Sequence, residues 1–254
     1  MIDNSNISVL VLTATVNVSK SKNVSIYDSK VRLDQYKSSL TKWATKQNIF
    51  KRIVFIENSG FDLSYLSDFV NNIEHNKIIE FISFSSDKDK HKDDIGYGEM
   101  ELIKRAIDTS KIIGSRFYKC TGRVYIQNIE QLNLNSYDIC CNFRNNLVNV
   151  DSVFFGMNTD LFIDDVYQIL FNKIEEGEIF ENGLAMGVHN AILNKKSWSP
   201  ITPEIYIDGV CASTGVHYMK NNPLYLRIVK NIANYLFYRA KYTYYEDGKH
   251  YYDL

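Results

Sequence analysis

Short apolar runs alternate with amphipathic stretches along the first third of the chain. The runs at 7–16, 52–56 and 78–84 are rich in Val, Ile, Leu and Phe and carry few charges, as is typical of strands buried on both faces. Between these runs, residues 34–47 and 63–73 place apolar side chains at helical spacing. The order strand–helix–strand–helix–strand predicts an α/β fold, with a mostly parallel sheet flanked by helices.

The pattern becomes less regular after residue 95. We predict helices over 96–113, 160–175 and 181–193, and strands over 116–119, 121–126, 137–144 and 153–155. After Pro223, apolar residues recur every four positions, which predicts a C-terminal helical extension carrying Leu224, Ile228, Ile232 and Leu236. No linker or internal repeat interrupts the chain, so we expect a single domain over 1–254.

The composition narrows the class of protein. Of 254 residues, 29 are Lys or Arg and 30 are Asp or Glu, the formal net charge is −1, and 45% are hydrophobic. This ordinary globular composition argues against a disordered chain and against a nucleic-acid partner, which usually requires a basic excess. The four cysteines form no CxxC pair, and we see no membrane-spanning run and no secretory signal. We therefore expect a cytoplasmic protein with reduced thiols.

Basic residues dominate positions 19–52, opposed there only by Asp28 and Asp34. The stretch includes Arg32 and Lys42 and overlaps the helix predicted at 34–47. Such a pattern fits a solvated helix face, and it also fits a surface that meets anionic lipid or phosphate.

Polar residues cluster where the first three strands end. These residues are Thr13, Thr15, Glu57, Asn58, Ser59, Gly96, Tyr97, Gly98 and Glu99. Ligands of open α/β sheets bind at the carboxyl ends of the strands, and hydroxyl, amide and carboxylate groups there suit a nucleotide base and ribose. The same residue types also form ordinary turns, which is the alternative interpretation.

The segment Lys119-Cys-Thr-Gly-Arg123 places two cations and the Thr121 hydroxyl around Gly122 at a predicted strand end. Glycine allows close approach of a ligand, and Lys and Arg bind phosphate oxygens, to which Arg144 would add a third cation. The alternative is that Arg123 pairs with a surface carboxylate. A GKS/T ending and a glycine-rich turn after the first strand are both missing, so the sequence favours neither an ATPase nor a Rossmann dehydrogenase.

The order of these motifs along the chain resembles that in bacterial glycosyltransferases of surface-polysaccharide clusters, which have a GT-A-like fold. The motifs are Thr13-Ala-Thr15, Glu57-Asn-Ser-Gly60, Gly96-Tyr-Gly-Glu99 and Lys119–Arg123. The resemblance covers 7–145. It implies a nucleotide-sugar-binding half at 7–145 and an acceptor-binding half at 146–254. It also implies transfer of a sugar, most often from a UDP-sugar, to a growing capsular or lipopolysaccharide glycan.

Such enzymes commonly hold Mn²⁺ or Mg²⁺ with an Asp-x-Asp motif at a strand end. Here Asp87-Lys-Asp89 lies in a charged loop before Gly96 instead. We therefore expect no metal and no other cofactor, with Lys119, Arg123 and Arg144 neutralising the leaving diphosphate.

An inverting transfer needs a base for the acceptor hydroxyl. Glu181, at the start of a predicted helix, is the first candidate, and Asp208 is the second. The alternative for Glu181 is stabilisation of the helix N-terminus.

Aromatic and basic residues alternate in the tail over 235–252. They suit a peripheral contact with the inner face of the cell membrane, where a lipid-linked acceptor would lie, and equally a homodimer contact or core packing. Two other functions remain open. One is a nucleotidyltransferase, which would need Mg²⁺, and the other is a non-catalytic subunit that binds nucleotide or glycan.

Overall fold

The computed structural model describes residues 8–18, 24–86, 95–134, 137–144, 147–211 and 214–218, together with 229, 232, 242–244 and 250–252. Within these residues no helix combines the length and the hydropathy needed to cross a membrane. Asp87 and Asp89 lie outside the described residues. So does the predicted C-terminal helix, apart from Val229 and Ile232, which are helical and exposed.

The sheet has a parallel centre. Its strands are β1 (Val9–Ala14), β2 (Arg52–Glu57), β3 (Ile78–Ser83), β4 (Arg116–Thr121), β5 (Tyr125–Ile126), β6 (Ile139–Cys140), β7 (Phe154–Asn158), β8 (Trp198–Ser199), β9 (Ile207–Asp208), β10 (Tyr242–Tyr244) and β11 (His250–Tyr252). Nine of them form one sheet in the order β10-β11-β8-β6-β7-β4-β1-β2-β3, and β5 pairs with β9. Strands β3, β2, β1 and β4 are parallel, with Thr13 opposite Thr121, whereas β7 is antiparallel to β4.

Helices cover both faces of this centre. They are α1 (Ser29–Thr45), α2 (Ser64–Asn71), α3 (Ile95–Thr109), α4 (Thr159–Leu161), α5 (Gln168–Glu175) and α6 (Phe180–Leu193), with a π-helical segment (Phe162–Tyr167) between α4 and α5 and a 3₁₀ turn (Ile129–Gln131). Because side chains alternate along a strand, Val9 and Val11 pack with α3, α5 and α6, whereas Leu10 and Leu12 pack with α1 and α2. The predicted α/β fold is confirmed.

Helix α1 begins earlier than its apolar periodicity suggests. Asp28 caps it, and its Oδ1 accepts hydrogen bonds from the backbone N–H of Lys30 at 2.8 Å and of Val31 at 3.1 Å. The buried face of the helix contains Tyr36, Leu40 and Trp43, and also Arg32. Arg32 is therefore interior, whereas the exposed lysines of the stretch fit the predicted solvated helix face.

Several short strands differ from their predicted bounds. The predicted strand at 121–126 is interrupted, since β4 ends at Thr121 and a turn leads to β5. The predicted strand at 137–144 shrinks to the two residues of β6. Strands β8 and β9 are also two residues long, which is too short for an alternating pattern to reveal.

The contact between β4 and β7 requires a glycine. Gly156 lies opposite Tyr118 in the antiparallel register, and a Cβ added there would be 2.2 Å from the Tyr118 ring. That ring is fully buried and stacks on Phe154, with centroids 5.8 Å apart. The absence of a side chain at Gly156 thus makes room for Tyr118.

Candidate functional site

The predicted polar clusters meet at one edge of the sheet. Thr13, at the end of β1, donates a hydrogen bond from Oγ1 to Glu99 Oε1 at 3.0 Å, and Glu99 forms an ion pair with Lys119 of β4. Thr15 Oγ1 donates to Asn58 Oδ1 at 2.7 Å, and Asn58 Nδ2 donates to the Gly98 carbonyl at 3.3 Å. The ends of β1, β2 and β4 and the first turn of α3 therefore share one polar cluster.

Lys119 has no donor left for a phosphate. Its side chain is 1% exposed, and its ammonium contacts Glu99 Oε1, the Ser152 carbonyl and Thr121 Oγ1. An ammonium group has three N–H donors, so these partners use them all. These contacts argue against the predicted role of Lys119 as a diphosphate ligand, which stays a prediction.

The Cys120 thiol, inside the same motif, is not a nucleophile. Burial, with the nearby Glu99 carboxylate, raises the pKa of this thiol to about 12, although the Lys119 charge opposes the shift. A thiol with so high a pKa carries almost no thiolate near neutral pH.

Glu57 and Ser59 organise the loops rather than face a ligand. The Glu57 side chain is fully buried, and its carboxylate accepts hydrogen bonds from the backbone N–H of Val16 at 2.9 Å, Ser59 at 2.9 Å and Phe61 at 3.0 Å. Ser59 Oγ donates to Glu57 and accepts from the Asn17 N–H at 3.0 Å. Glu57 therefore holds the loops after β1 and β2 together, and its burial argues against the predicted direct contact with a nucleotide.

Arg32 holds the loop after β1. Its Nε donates to the Thr15 carbonyl at 2.7 Å, and its Nη2 donates to the Tyr36 hydroxyl at 3.1 Å, which in turn accepts from the Thr15 N–H at 2.9 Å. Burial lowers the pKa of Arg32, and the nearby positive charge of Arg123 lowers it further, whereas Tyr36 raises it. This role of Arg32 is not predicted from the sequence, although its spacing with Tyr36 and Leu40 on one helical face indicates a buried position.

Gly122 brings the β4 turn against β1. Its N–H donates to the Thr13 carbonyl at 2.9 Å, and a Cβ at this position would be 2.8 Å from that same oxygen. The Thr121 N–H donates to the Val153 carbonyl at 3.0 Å. These contacts fix the direction in which the chain leaves β4 and enters Arg123.

At this edge of the sheet, Arg123 has guanidinium donors that lack hydrogen-bond partners among the described residues. The residue is 8% exposed, and its Nε and Nη1 atoms are buried with no hydrogen-bond partner among the described residues. Buried donors are nearly always paired, since an unpaired one costs desolvation free energy. The predicted alternative, pairing with a surface carboxylate, does not account for these two atoms. They are the donors that an anionic ligand would satisfy.

A second chain segment packs against Arg123. In this segment, here called the Gly209 hairpin (209–211 and 214–218), Val210 bridges His217, and the Tyr218 N–H donates to the Gly209 carbonyl at 3.1 Å. A Cβ at Gly209 would be 2.8 Å from the Arg123 carbonyl. Burial and the Cys211 thiol raise the pKa of Tyr218, and the Arg123 charge opposes the shift. No local motif marks Tyr218 in the sequence.

Glu181, the first candidate base, lies in the first turn of α6, close to the helix start that the sequence predicts. Its Oε1 accepts a hydrogen bond from Ser152 Oγ at 2.7 Å, and its carbonyl accepts from the Val150 N–H at 3.1 Å. Because the Ser152 carbonyl contacts Lys119, one residue separates Glu181 from the polar cluster at β4.

Asp208 is unsuited to act as a base. Burial by itself would raise its pKa, but hydrogen bonds from Lys42 at 2.9 Å and Gln127 at 3.4 Å, with the charges of Lys42 and Lys46, outweigh burial and lower it. A carboxylate held in an ion pair at low pKa accepts a proton poorly. Asp208 thus forms an ion pair between β9 and α1, which argues against the predicted role as a base.

Substituting Asp208→Asn tests this ion pair. A lowered folded-state pKa stabilises the protein fully above the unfolded value of about 3.9, and the contribution is lost as pH falls through the folded value. We expect the variant to be less stable than the native chain at pH 7, with the difference vanishing once the pH falls below the lowered folded-state pKa of Asp208. Urea unfolding at several pH values measures it, and an equal difference at every pH would contradict the assignment.

The remaining predicted residues divide into two groups. Gly96, Tyr97 and Gly98 belong to the first turn of α3, and Tyr97 packs partly buried against the core. Arg144 is exposed in a turn where its N–H donates to the Asn149 carbonyl at 2.9 Å. Within the described residues, no contact joins the Arg144 side chain to Lys119 or Arg123.

Across the described parts of the chain, no group of three or more His, Cys, Asp or Glu side chains is arranged to hold a metal ion. The Asp-x-Asp residues Asp87 and Asp89 are outside those parts.

Comparison with known proteins gives distant structural likenesses. No family model matches the chain, and no curated protein matches it. It is similar to the apo form of the glycosyltransferase GlyE of Streptococcus pneumoniae, with 10% identity, 76% of this chain covered and a TM-score of 0.47. The aligned region spans only 45% of GlyE.

Two other solved structures are also similar. Core-mannan synthase A of Aspergillus fumigatus, in its Mn/GDP form, shares 9% identity over 87% of this chain and 82% of its own, with a TM-score of 0.48. The 4-diphosphocytidyl-2C-methyl-D-erythritol synthase of Anaerococcus prevotii shares 10% identity over 91% of this chain and 97% of its own, with a TM-score of 0.43. These neighbours thus include sugar transferases, and the likenesses carry nothing about the ligand of this chain.

Proposed function

We propose that this protein transfers a sugar from a nucleoside-diphosphate donor to an acceptor hydroxyl. The observation that carries the proposal is Arg123, a buried residue that follows β4 at the carboxyl end of the parallel strands and has two guanidinium donors without a partner among the described residues. A cation at that edge of an open α/β sheet suits a phosphate ligand. The hydroxyl, amide and carboxylate groups of Thr13, Thr15, Asn58 and Glu99 lie at the same edge and suit the base and ribose.

The proposed chemistry uses residues on both sides of the ligand. Glu181 removes the proton of the acceptor hydroxyl while its oxygen attacks the anomeric carbon, and the bond from that carbon to the β-phosphate oxygen breaks. Negative charge then develops on the departing nucleoside diphosphate, and the Arg123 guanidinium stabilises it. Arg32 and Glu57 hold the loops in place without touching the reacting atoms.

The finer assignments rest on the resemblance of the sequence motifs. They are a UDP-sugar donor, a hexosyl group, and a capsular or lipopolysaccharide glycan as acceptor. They also include a cytoplasmic location with peripheral membrane contact through the tail. Division into a donor half at 7–145 and an acceptor half at 146–254 is part of the same proposal.

Thermal unfolding with uridine, UMP, UDP, GDP, CDP and UDP-glucose, each with EDTA or with Mn²⁺, tests donor binding. A ligand present at 100 times its Kd stabilises the native state by about 2.7 kcal/mol, or roughly 5–10 °C for a chain of this size. We expect one nucleoside diphosphate to give such a shift in EDTA, and its monophosphate to give much less, because Arg123 needs the second phosphate.

Two results would contradict the proposal. A shift that requires Mn²⁺ would contradict the metal-free diphosphate site and would make Asp87 and Asp89 candidate metal ligands. Binding without release of nucleotide from any nucleotide sugar, even with acceptor supplied, would favour a non-catalytic binding subunit.

A further inference from the structure

Ser152 contacts both the donor side and the acceptor side of the candidate site. Its carbonyl accepts a hydrogen bond from the Lys119 ammonium, and its hydroxyl donates to Glu181 Oε1 at 2.7 Å. Lys119 belongs to β4, whereas Glu181 belongs to α6. A single residue therefore connects the end of the central strand with the candidate base.

The loop that carries Ser152 is fixed on each side. The Val153 carbonyl accepts from the Thr121 N–H at 3.0 Å, and the Val153 N–H donates to Asp151 Oδ1 at 3.1 Å. On the other side, the Val150 N–H donates to the Glu181 carbonyl at 3.1 Å. The backbone on each side of Ser152 is thus fixed, so the residue is a stable anchor for the Glu181 side chain that its hydroxyl bonds.

The hydrogen bond from Ser152 fixes the orientation of the Glu181 carboxylate. A glutamate side chain has three rotatable bonds. Glu181 is a partly exposed residue, so the protein around it does not fix those bonds by burial alone. Fixing Oε1 on a hydroxyl leaves Oε2 as the oxygen that receives a proton. Holding a catalytic group in the reactive geometry supplies a large part of an enzymatic rate enhancement.

We infer that Ser152 is a positioning residue for Glu181, and that Lys119 holds Ser152 in place instead of binding phosphate. The inference rests on the proposed function, since it assigns an orienting partner to the proposed base. It explains why the Lys119 ammonium contacts the Ser152 carbonyl, a contact that phosphate binding by Lys119 would not require.

The test compares Ser152→Ala, Ser152→Thr, Glu181→Gln and the double variant Ser152→Ala/Glu181→Gln. Release of nucleotide from UDP-glucose, UDP-N-acetylglucosamine and GDP-mannose to water is measured, with kcat and donor KM determined for the best of these probes. We expect Ser152→Ala to lower kcat about 10- to 100-fold with donor KM changed less than about twofold. Ser152→Thr, which keeps the hydroxyl, should restore most of kcat.

The double variant separates positioning from a merely structural role. If Ser152 acts through Glu181, adding Ser152→Ala to Glu181→Gln lowers kcat no further. Multiplying effects in the double variant, or Ser152→Ala with native kcat, would overturn the inference. So would Ser152→Thr as slow as Ser152→Ala with a matching loss of thermal stability, which indicates a packing role.

Failure of the proposed function gives a different result. Native protein that binds a nucleoside diphosphate but releases no nucleotide from any probe would overturn the transferase proposal and this inference together. Native turnover that is unchanged in Glu181→Gln would overturn the base and its positioning residue, and leave sugar transfer standing.

Discussion

Arg123→Met is expected to make the free protein more stable while strongly weakening its binding of nucleoside diphosphates. Methionine fills a similar space without the two N–H groups that lack partners in the described structure. Removing a buried unsatisfied donor gains about 1–3 kcal/mol, because its desolvation is no longer uncompensated. Loss of charge-assisted hydrogen bonds to phosphate should weaken binding of the diphosphate about 100-fold.

Urea unfolding of the free protein measures the first effect, and calorimetric titration with UDP measures the second. Arg144→Met is the matched control, since Arg144 is an exposed arginine from the same set of predicted ligands. We expect this control to change neither quantity. An Arg123→Met protein that is less stable than the native chain, yet binds UDP normally, would show that the guanidinium serves the fold.

Gly156→Ala is expected to destabilise the sheet strongly. The new Cβ would lie 2.2 Å from the Tyr118 ring, and that ring has no room to move, since it is fully buried, stacks on Phe154 and packs on Phe50 at 5.4 Å between centroids. Overpacking of this kind costs about 3 kcal/mol, which lowers Tm by roughly 6–12 °C.

Thermal unfolding followed by circular dichroism measures this loss. Gly177→Ala is the comparison, because nothing lies within 4 Å of a Cβ there and the only cost is the backbone strain of φ 91°. A loss of stability at Gly156 no greater than at Gly177 would contradict the packing argument.

The sequence predicts the centre of the fold and the position of the site well, for a simple physical reason. Strands buried on both faces need continuous apolar runs, and the polar residues that follow them must meet at one sheet edge. Thr13, Asn58 and Glu99 were found in this way, and the structure brings them into one cluster. Their roles toward a ligand stay a prediction.

The sequence predicts the state of individual charges poorly, because burial and pairing are set by distant segments. Lys119 and Arg123 are equivalent as cations in the motif. In the structure, the Lys119 ammonium has a partner for each of its three donors, whereas Arg123 has two donors without a partner among the described residues. Arg32 is one of many cations in a basic stretch, and no motif in the sequence sets it apart as the buried one. Ser152 carries no motif, and its importance arises from a hydroxyl and a carbonyl that face different partners.

The Gly209 hairpin has a consequence for the rate of ligand association. It packs against the Arg123 backbone, and the Nε and Nη1 atoms of that arginine are shielded from solvent. A phosphate group therefore reaches them only after the side chain or the hairpin rearranges. Association then includes an internal step, so its observed rate should level off at high nucleotide concentration instead of rising in proportion to it.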